Sequence, residues 1–88
     1  MDFVHYELAN LTPGQTVEIT LDHAANVLLL DKSNFASYQQ GKPYKYYGGW
    51  ITTSPYLLGI PYAGHWHIAI NLGGASGNIR TAVRVLPG

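Results

Sequence analysis

The chain has 88 residues and no cysteine, and its five basic residues balance five acidic ones, so its formal net charge is zero. This length suits one small domain, which has neither a disulfide nor a thiolate zinc site to stabilise it. Balanced charge without a lysine or arginine run argues against general nucleic-acid binding, and no apolar run approaches the roughly 20 residues of a membrane span. The first residues lack the features of a secretory leader, so we expect a cytoplasmic protein.

The first half of the chain predicts three strands and a helical turn. Residues 3–8 and 16–21 alternate apolar and polar side chains on either side of a Pro-Gly turn, which indicates two strands. Residues 26–31 form an apolar run bounded by polar residues, which indicates a central strand buried on both faces. Residues 33–41 break the alternation. Ser33 can cap a helix there and a glycine can end it after one or two turns.

The second half predicts further strands separated by glycine and proline. Residues 42–51 form an aromatic-rich strand with a bulge or bend at a glycine pair, and residues 54–60 form a short strand with proline at an edge. Residues 65–72 alternate strictly, with His65 and His67 on the open face of the strand and apolar side chains on the other. A glycine-rich segment, residues 73–77, is predicted as a hairpin leading into a strand at 78–86.

About seven strands with turn signals every 8 to 12 residues predict an all-β fold. We expect one domain over residues 1–88, an antiparallel β-sandwich with Greek-key or jelly-roll connections and one short helical turn. A small, partly open β-barrel is the alternative. The predicted core between two sheets contains mostly the following side chains: Val17, Ile19, Leu21, Leu28, Leu30, Trp66, Ile68, Ile70, Val83 and Val85.

An aromatic tract near the middle of the chain is the candidate binding surface, and it contains Tyr44, Lys45, Tyr46, Tyr47 and Trp50. Tyrosine and tryptophan provide large contact areas with a polar tip, and they recur in protein and sugar interfaces. The ordinary alternative is that Tyr44 and Tyr46 face the core while the other side chains cover a sheet edge. Because charged residues make up only 11% of the chain, we expect a homo-oligomer or a protein partner, with a sugar or nucleotide as the alternative ligand.

His65 and His67 form the one candidate metal pair. Two residues apart on a strand, their Cβ atoms lie about 6 to 7 Å apart and could share one ion. Their spacing resembles the first metal motif of the cupins, although Asn71 stands where that motif has glutamate. A third ligand would have to come from elsewhere in the chain, with these candidates: His5, His23, Glu7 and Glu18. Exposed or hydrogen-bonded strand histidines are the alternative, and we predict no resident metal or other cofactor.

Catalytic patterns find no support in the sequence. No serine or threonine stands in a recognisable spacing with a base and an orienting group, and the carboxylates are scattered. The glycine-rich segment at 73–77 precedes a predicted strand, whereas a phosphate-binding loop leads into a helix. We therefore expect a protein that is not an enzyme.

Four sequence motifs together resemble one known family: residues 26–35, 46–49, 60–67 and 83–87. The family is the small bacterial one described as domain of unknown function 1883. This resemblance implies a compact β-sandwich, found alone or joined to signalling domains of the Toll/interleukin-receptor type, and it implies no catalytic or binding residue. A looser similarity links the chain to the β-sandwich domains that follow secreted bacterial peptidases, which supports the fold alone.

The sequence therefore predicts a non-enzymatic binding domain that acts through self-association or a protein partner, using the aromatic tract. A cupin-like metal-binding protein and a small-ligand-binding domain are the alternatives.

Overall fold

The computed structural model describes residues 3–74 and 77–87, which form seven strands and one helix. The elements are β1 (Val4–Leu11), β2 (Thr16–Leu21), β3 (Ala25–Asp31), α1 (Lys32–Gln39), β4 (Tyr47–Ile51), β5 (Tyr56–Gly59), β6 (Gly64–Asn71) and β7 (Thr81–Leu86). Two antiparallel sheets have the strand orders β1-β6-β3-β4 and β5-β2-β7, and they do not close into a barrel. The predicted sandwich is confirmed, and the barrel alternative is excluded.

The strand pairs are nested along the chain. β1 pairs with β6, β2 with β5, and β3 with β4, as in a long hairpin folded over on itself. This nesting is the pattern of jelly-roll connections. β7 adds a third strand to the smaller sheet by pairing with β2. The predicted hairpin at residues 73–77 is therefore wrong, because β6 and β7 belong to different sheets; Ala75 and Ser76 of this segment lie outside the described residues.

Most of the buried apolar side chains in the described residues lie between the two sheets. Trp66, Ile68 and Ile70 of β6 are completely buried there, against the apolar side chains of β2 and β3. The alternation of β6 predicts this arrangement, because successive strand side chains point to opposite faces.

A second apolar cluster lies on the outer face of the larger sheet, where Leu28 and Leu30 pack against Phe35 of α1. β3 is thus central and buried on both faces, as predicted. The assignment of Leu28 and Leu30 to the core between the sheets is wrong. A continuous apolar strand divides its side chains between its two faces, so it needs a second covering layer, which α1 provides.

Helix α1 begins directly after β3. Asp31 caps it, because its Oδ1 accepts a hydrogen bond from the backbone N–H of Asn34 at 2.8 Å; Ser33, the predicted cap, lies within the first turn. After the helix, residues 42–46 run outside any helix or strand, so β4 begins five residues later than predicted. The backbone N–H of Lys45 donates to Oδ1 of Asn34 at 2.8 Å, which ties this segment to the helix. In the described part of the chain, no helix is long and apolar enough to cross a membrane.

Candidate functional site

The outer face of the larger sheet carries the candidate metal pair and three of the four rings of the aromatic tract, Tyr44, Tyr46 and Trp50. Helix α1 lies across the middle of this face, packed on β3 and β6. On its β1 side a cleft of about 510 Å³ is lined by histidines, and on its β4 side a pocket of about 230 Å³ is lined by tyrosines. The helix therefore separates the candidate metal pair from the aromatic tract.

His67 belongs to a stacked group of rings beneath the helix. Its Nδ1 lies 2.9 Å from Nε2 of His5, at hydrogen-bond distance, and Phe35 stacks on both imidazoles at centroid distances of 4.4 and 4.2 Å. His67 is only 7% exposed, so its predicted place on an open face is corrected: α1 covers this side of β6. Burial, followed by the neighbouring His5 and His65, lowers the pKa of His67, so the ring stays neutral to lower pH than a free histidine.

His65 interacts with a different partner. Its Nε2 lies 3.0 Å from a carboxylate oxygen of Glu7 on β1, and its ring meets His67 edge to face at 5.1 Å. The structure thus places His5 and Glu7 beside the predicted pair. The contacting nitrogen of His67 faces His5, and that of His65 faces Glu7. Within residues 3–74 and 77–87, no group of three histidine, cysteine or acidic side chains is placed to hold a metal ion.

The aromatic tract divides between the two faces of the larger sheet. Tyr47 pairs with Leu29 across β3 and β4 and therefore faces the smaller sheet, where its ring meets Trp66 edge to face at 6.1 Å. Trp50 pairs with Asn26 and therefore lies on the outer face. Its ring is 55% exposed and approaches Gly73, whose positive φ of 68° favours glycine.

Tyr44 and Tyr46 stay together on the outer face, with their ring centroids 5.8 Å apart. Tyr44 meets Tyr38 of the helix edge to face at 5.1 Å. Burial, followed by the nearby Tyr38 and Tyr46, raises the pKa of Tyr44. Tyr44 and Tyr46 are both exposed, so the ordinary alternative, in which these two rings face the core, is wrong. Lys45 between them is exposed, and its backbone is the group tied to Asn34.

A chain of side-chain hydrogen bonds forms one wall of the tyrosine pocket. Asn26 donates to Oδ1 of Asn71 at 3.0 Å, and Asn71 in turn donates to the Tyr38 hydroxyl at 3.1 Å. The backbone N–H of Gly73 also donates to Oδ1 of Asn71 at 2.9 Å. Sequence reasoning did not place Asn26 or Tyr38 at the candidate site. The available signal was an asparagine beside the apolar run of each of two strands, Asn26 before residues 27–30 of β3 and Asn71 after residues 68–70 of β6.

Strand β4, which carries two of the aromatic side chains, is an edge of the larger sheet. It is five residues long and contains Gly48 and Gly49, both with positive φ. Tyr47, Gly48 and Trp50 are exposed. An edge strand leaves one row of backbone N–H and C=O groups without a strand partner, so it is a template for a further strand.

Two antiparallel sheets with jelly-roll pairing, a helix on the outer face and an exposed aromatic edge define a small β-sandwich domain with candidate binding surfaces on the larger sheet. The model of a family described as a domain of unknown function, DUF1883, matches residues 1–88. The chain therefore belongs to this family, and the predicted resemblance is confirmed. Neither the search of curated proteins nor the search of solved structures gave a match.

Proposed function

We propose that this chain is a non-enzymatic binding domain that self-associates through strand β4, with the exposed rings of Tyr47 and Trp50 at the interface. The observation that carries the proposal is the position of Tyr47 and Trp50 on an edge strand of the larger sheet. Large exposed rings beside unpaired backbone groups combine the two main sources of affinity in strand addition, which are main-chain hydrogen bonds and side-chain contacts.

A second copy of the chain suits this edge. A two-fold axis relates two copies of one strand in antiparallel orientation, so the pairing of β4 with itself needs no other sequence. With the axis at Gly49, Trp50 of one copy lies opposite Gly48 of the other on the same face. An aromatic ring that covers a cross-strand glycine compensates for the side chain that the glycine lacks.

The charges near β4 also permit this pairing. Lys45 is the nearest charged residue in the sequence, four positions before the proposed axis. Lys45 lies outside β4, and the strand itself carries no charged side chain, so the pairing of β4 with its own copy places no like charges opposite each other.

Sedimentation measured over a range of protein concentrations tests the proposal. We expect a reversible monomer–dimer equilibrium in the wild type, and we expect Trp50→Ala to weaken it by more than about 1 kcal/mol with little change in melting temperature. Amide hydrogen exchange of Tyr47–Ile51 should slow as the dimer fraction rises, because β4 would then be paired on both sides.

Leu57→Ala provides a matched control. Leu57 has the same exposed fraction as Trp50, 55%, but lies on β5 of the smaller sheet. This variant should dimerise like the wild type. A wild type that stays monomeric at all concentrations would contradict self-association and leave a different protein as the partner. A lower melting temperature of Trp50→Ala with unchanged association would show that the Trp50 ring stabilises the folded sheet and not the dimer.

A further inference from the structure

We infer that the pocket lined by Tyr38, Tyr44 and Tyr46 binds one neutral sugar ring, either a free monosaccharide or one unit of a glycan. This function goes beyond the proposed self-association and does not depend on it. The pocket opens on the outer face of the larger sheet, and its volume of about 230 Å³ is below the range of drug-sized ligand sites, so it suits a ligand of one ring.

The lining of the pocket combines aromatic faces with amide groups. The rings of Tyr38, Tyr44 and Tyr46 follow one another at centroid distances of 5.1 and 5.8 Å. The rest of the lining consists of Asn26, Leu28, Asn71 and Gly73. The apolar C–H face of a sugar ring packs on an aromatic side chain, while its hydroxyl groups both donate and accept hydrogen bonds. Phenol and carboxamide groups have the same double capacity.

The polar wall of the pocket is held in place before any ligand binds. Asn71 is only 6% exposed, and its carboxamide is held by hydrogen bonds to Asn26, Tyr38 and the backbone of Gly73. A side chain that is already ordered loses little conformational entropy on binding. Because Oδ1 of Asn71 already accepts two hydrogen bonds, Asn71 positions Asn26 and Tyr38 and keeps one N–H for a ligand.

The charge of the lining favours a neutral ligand. Among the residues that the structure describes, no lysine, arginine, histidine or acidic side chain lines this pocket. Recognition of a phosphate relies on arginine, lysine or a cluster of backbone amides at a helix terminus. A nucleotide is therefore the less suitable ligand here, and a sugar without charged substituents is the better one.

NMR titration of the isotopically labelled chain tests this inference. The probes are glucose, galactose, mannose and N-acetylglucosamine, followed by the trisaccharides cellotriose, maltotriose and chitotriose. We expect at least one probe to give saturable shifts of the Asn26 and Asn71 side-chain amides and of the Gly73 backbone amide. Equal affinity for a monosaccharide and its trisaccharide indicates a ligand of one ring, whereas tighter binding of the trisaccharide indicates a glycan.

Two variants separate the pocket from the β4 interface. Tyr46→Ala removes an exposed ring that lies outside the helices and strands, so the chain should fold, and we expect its dissociation constant for the sugar to rise at least about tenfold. Tyr47→Ala, with a ring of nearly equal exposure on the opposite face, should keep the wild-type dissociation constant even where it weakens the dimer.

Two results would overturn the sugar site: the absence of saturable shifts with every probe, or an unchanged dissociation constant in Tyr46→Ala. Sedimentation of the same samples shows separately whether self-association holds. A dimer that binds no sugar would overturn this inference alone, and a monomer that binds sugar through the pocket would overturn the proposed self-association alone.

Discussion

His67 combines three constraints in one side chain. It lies on a strand that is buried on both faces, it stacks on Phe35 beneath the helix, and its Nδ1 shares a hydrogen bond with His5. A hydrogen bond between two imidazoles needs a neutral ring as the acceptor. Protonation of His67 would place a positive charge in a half-enclosed site near Lys32 and His65. The folded state therefore favours the neutral form of the His67 ring.

We predict that the free energy of unfolding decreases as the pH falls below about 6.5. The pKa of His67 is lowered in the folded chain, so below its unfolded value of 6.5 the unfolded state binds the proton first and gains stability relative to the folded state. The decrease should level off below the folded pKa. Urea unfolding between pH 7.5 and 5.5 measures this slope.

His67→Gln should flatten this pH dependence, because glutamine does not titrate. The control is Leu57→Ala, which replaces an exposed side chain without a titratable group and should retain the wild-type slope. An equal slope in the wild type and in His67→Gln would show that other groups cause the pH dependence.

Helix α1 depends on a single aspartate at its first turn. Oδ1 of Asp31 accepts hydrogen bonds from Ser33 and from the backbone and side chain of Asn34, and Oδ2 accepts one from the Tyr62 hydroxyl. Burial alone would raise the pKa of Asp31, but the hydrogen bonds from Tyr62, Asn34 and Ser33 outweigh it and lower the pKa. The same contact with Asp31 raises the pKa of Tyr62 to about 12. One carboxylate therefore joins the helix to the β5–β6 connection.

Two substitutions of Asp31 should separate its capping role from its charge. Asn is a good helix cap without charge, so Asp31→Asn should keep the helix while the pKa of Tyr62 moves from about 12 towards the ordinary 10. Asp31→Ala should give the same pKa change and also cost about 0.5–2 kcal/mol of stability. NMR titration of the Tyr62 ring and urea unfolding measure the two effects.

The pH dependence of the Tyr62 contact follows from its raised pKa. Its contribution to stability is complete below pH 10 and is lost as the pH rises through about 12, because the hydroxyl must keep its proton to donate. Tyr62→Phe serves as the control. A Tyr62 pKa that is unchanged in Asp31→Asn would contradict this account.

At the scale of the whole molecule, stability depends on a thin core. A chain of this length buries only about 60 to 65% of the surface that its unfolded form exposes, and it has no cysteine to add a cross-link. Ile68 lies at the centre of β6, between β1 and β3, and its side chain is completely buried between the sheets. If the Ile68 side chain were shortened, the solvent-exposed loops could not move in to fill the cavity that it leaves.

We predict that Ile68→Ala lowers the free energy of unfolding by about 2–5 kcal/mol. This is a large share of the roughly 5–15 kcal/mol available to a small domain. Urea unfolding followed by circular dichroism measures the loss. Exposed Leu57→Ala should change stability by less than about 0.5 kcal/mol. A loss below 1 kcal/mol for Ile68→Ala would contradict the central place of this side chain in the core.

The sequence by itself determined the fold class, most of the strands, the place of the helix and the family. Alternation in residues 16–21 and 65–72 indicates strands because a strand side chain must point to one face or the other, and the apolar run in β3 indicates burial on both. These signals are local. They depend only on a residue and its near neighbours, so they can be read before the chain is folded.

Only the tertiary structure decided which residues meet at the candidate sites. His5 contacts His67 across 62 positions of sequence, and Asn26 contacts Asn71 across 45. Alternation assigns a side chain to a face but does not select the neighbouring strand or its register, since many pairings bury the same apolar surface. The division of the aromatic tract between two faces, and the pocket at Tyr38, follow from the register of β3 with β4 and from the position of α1 on the sheet.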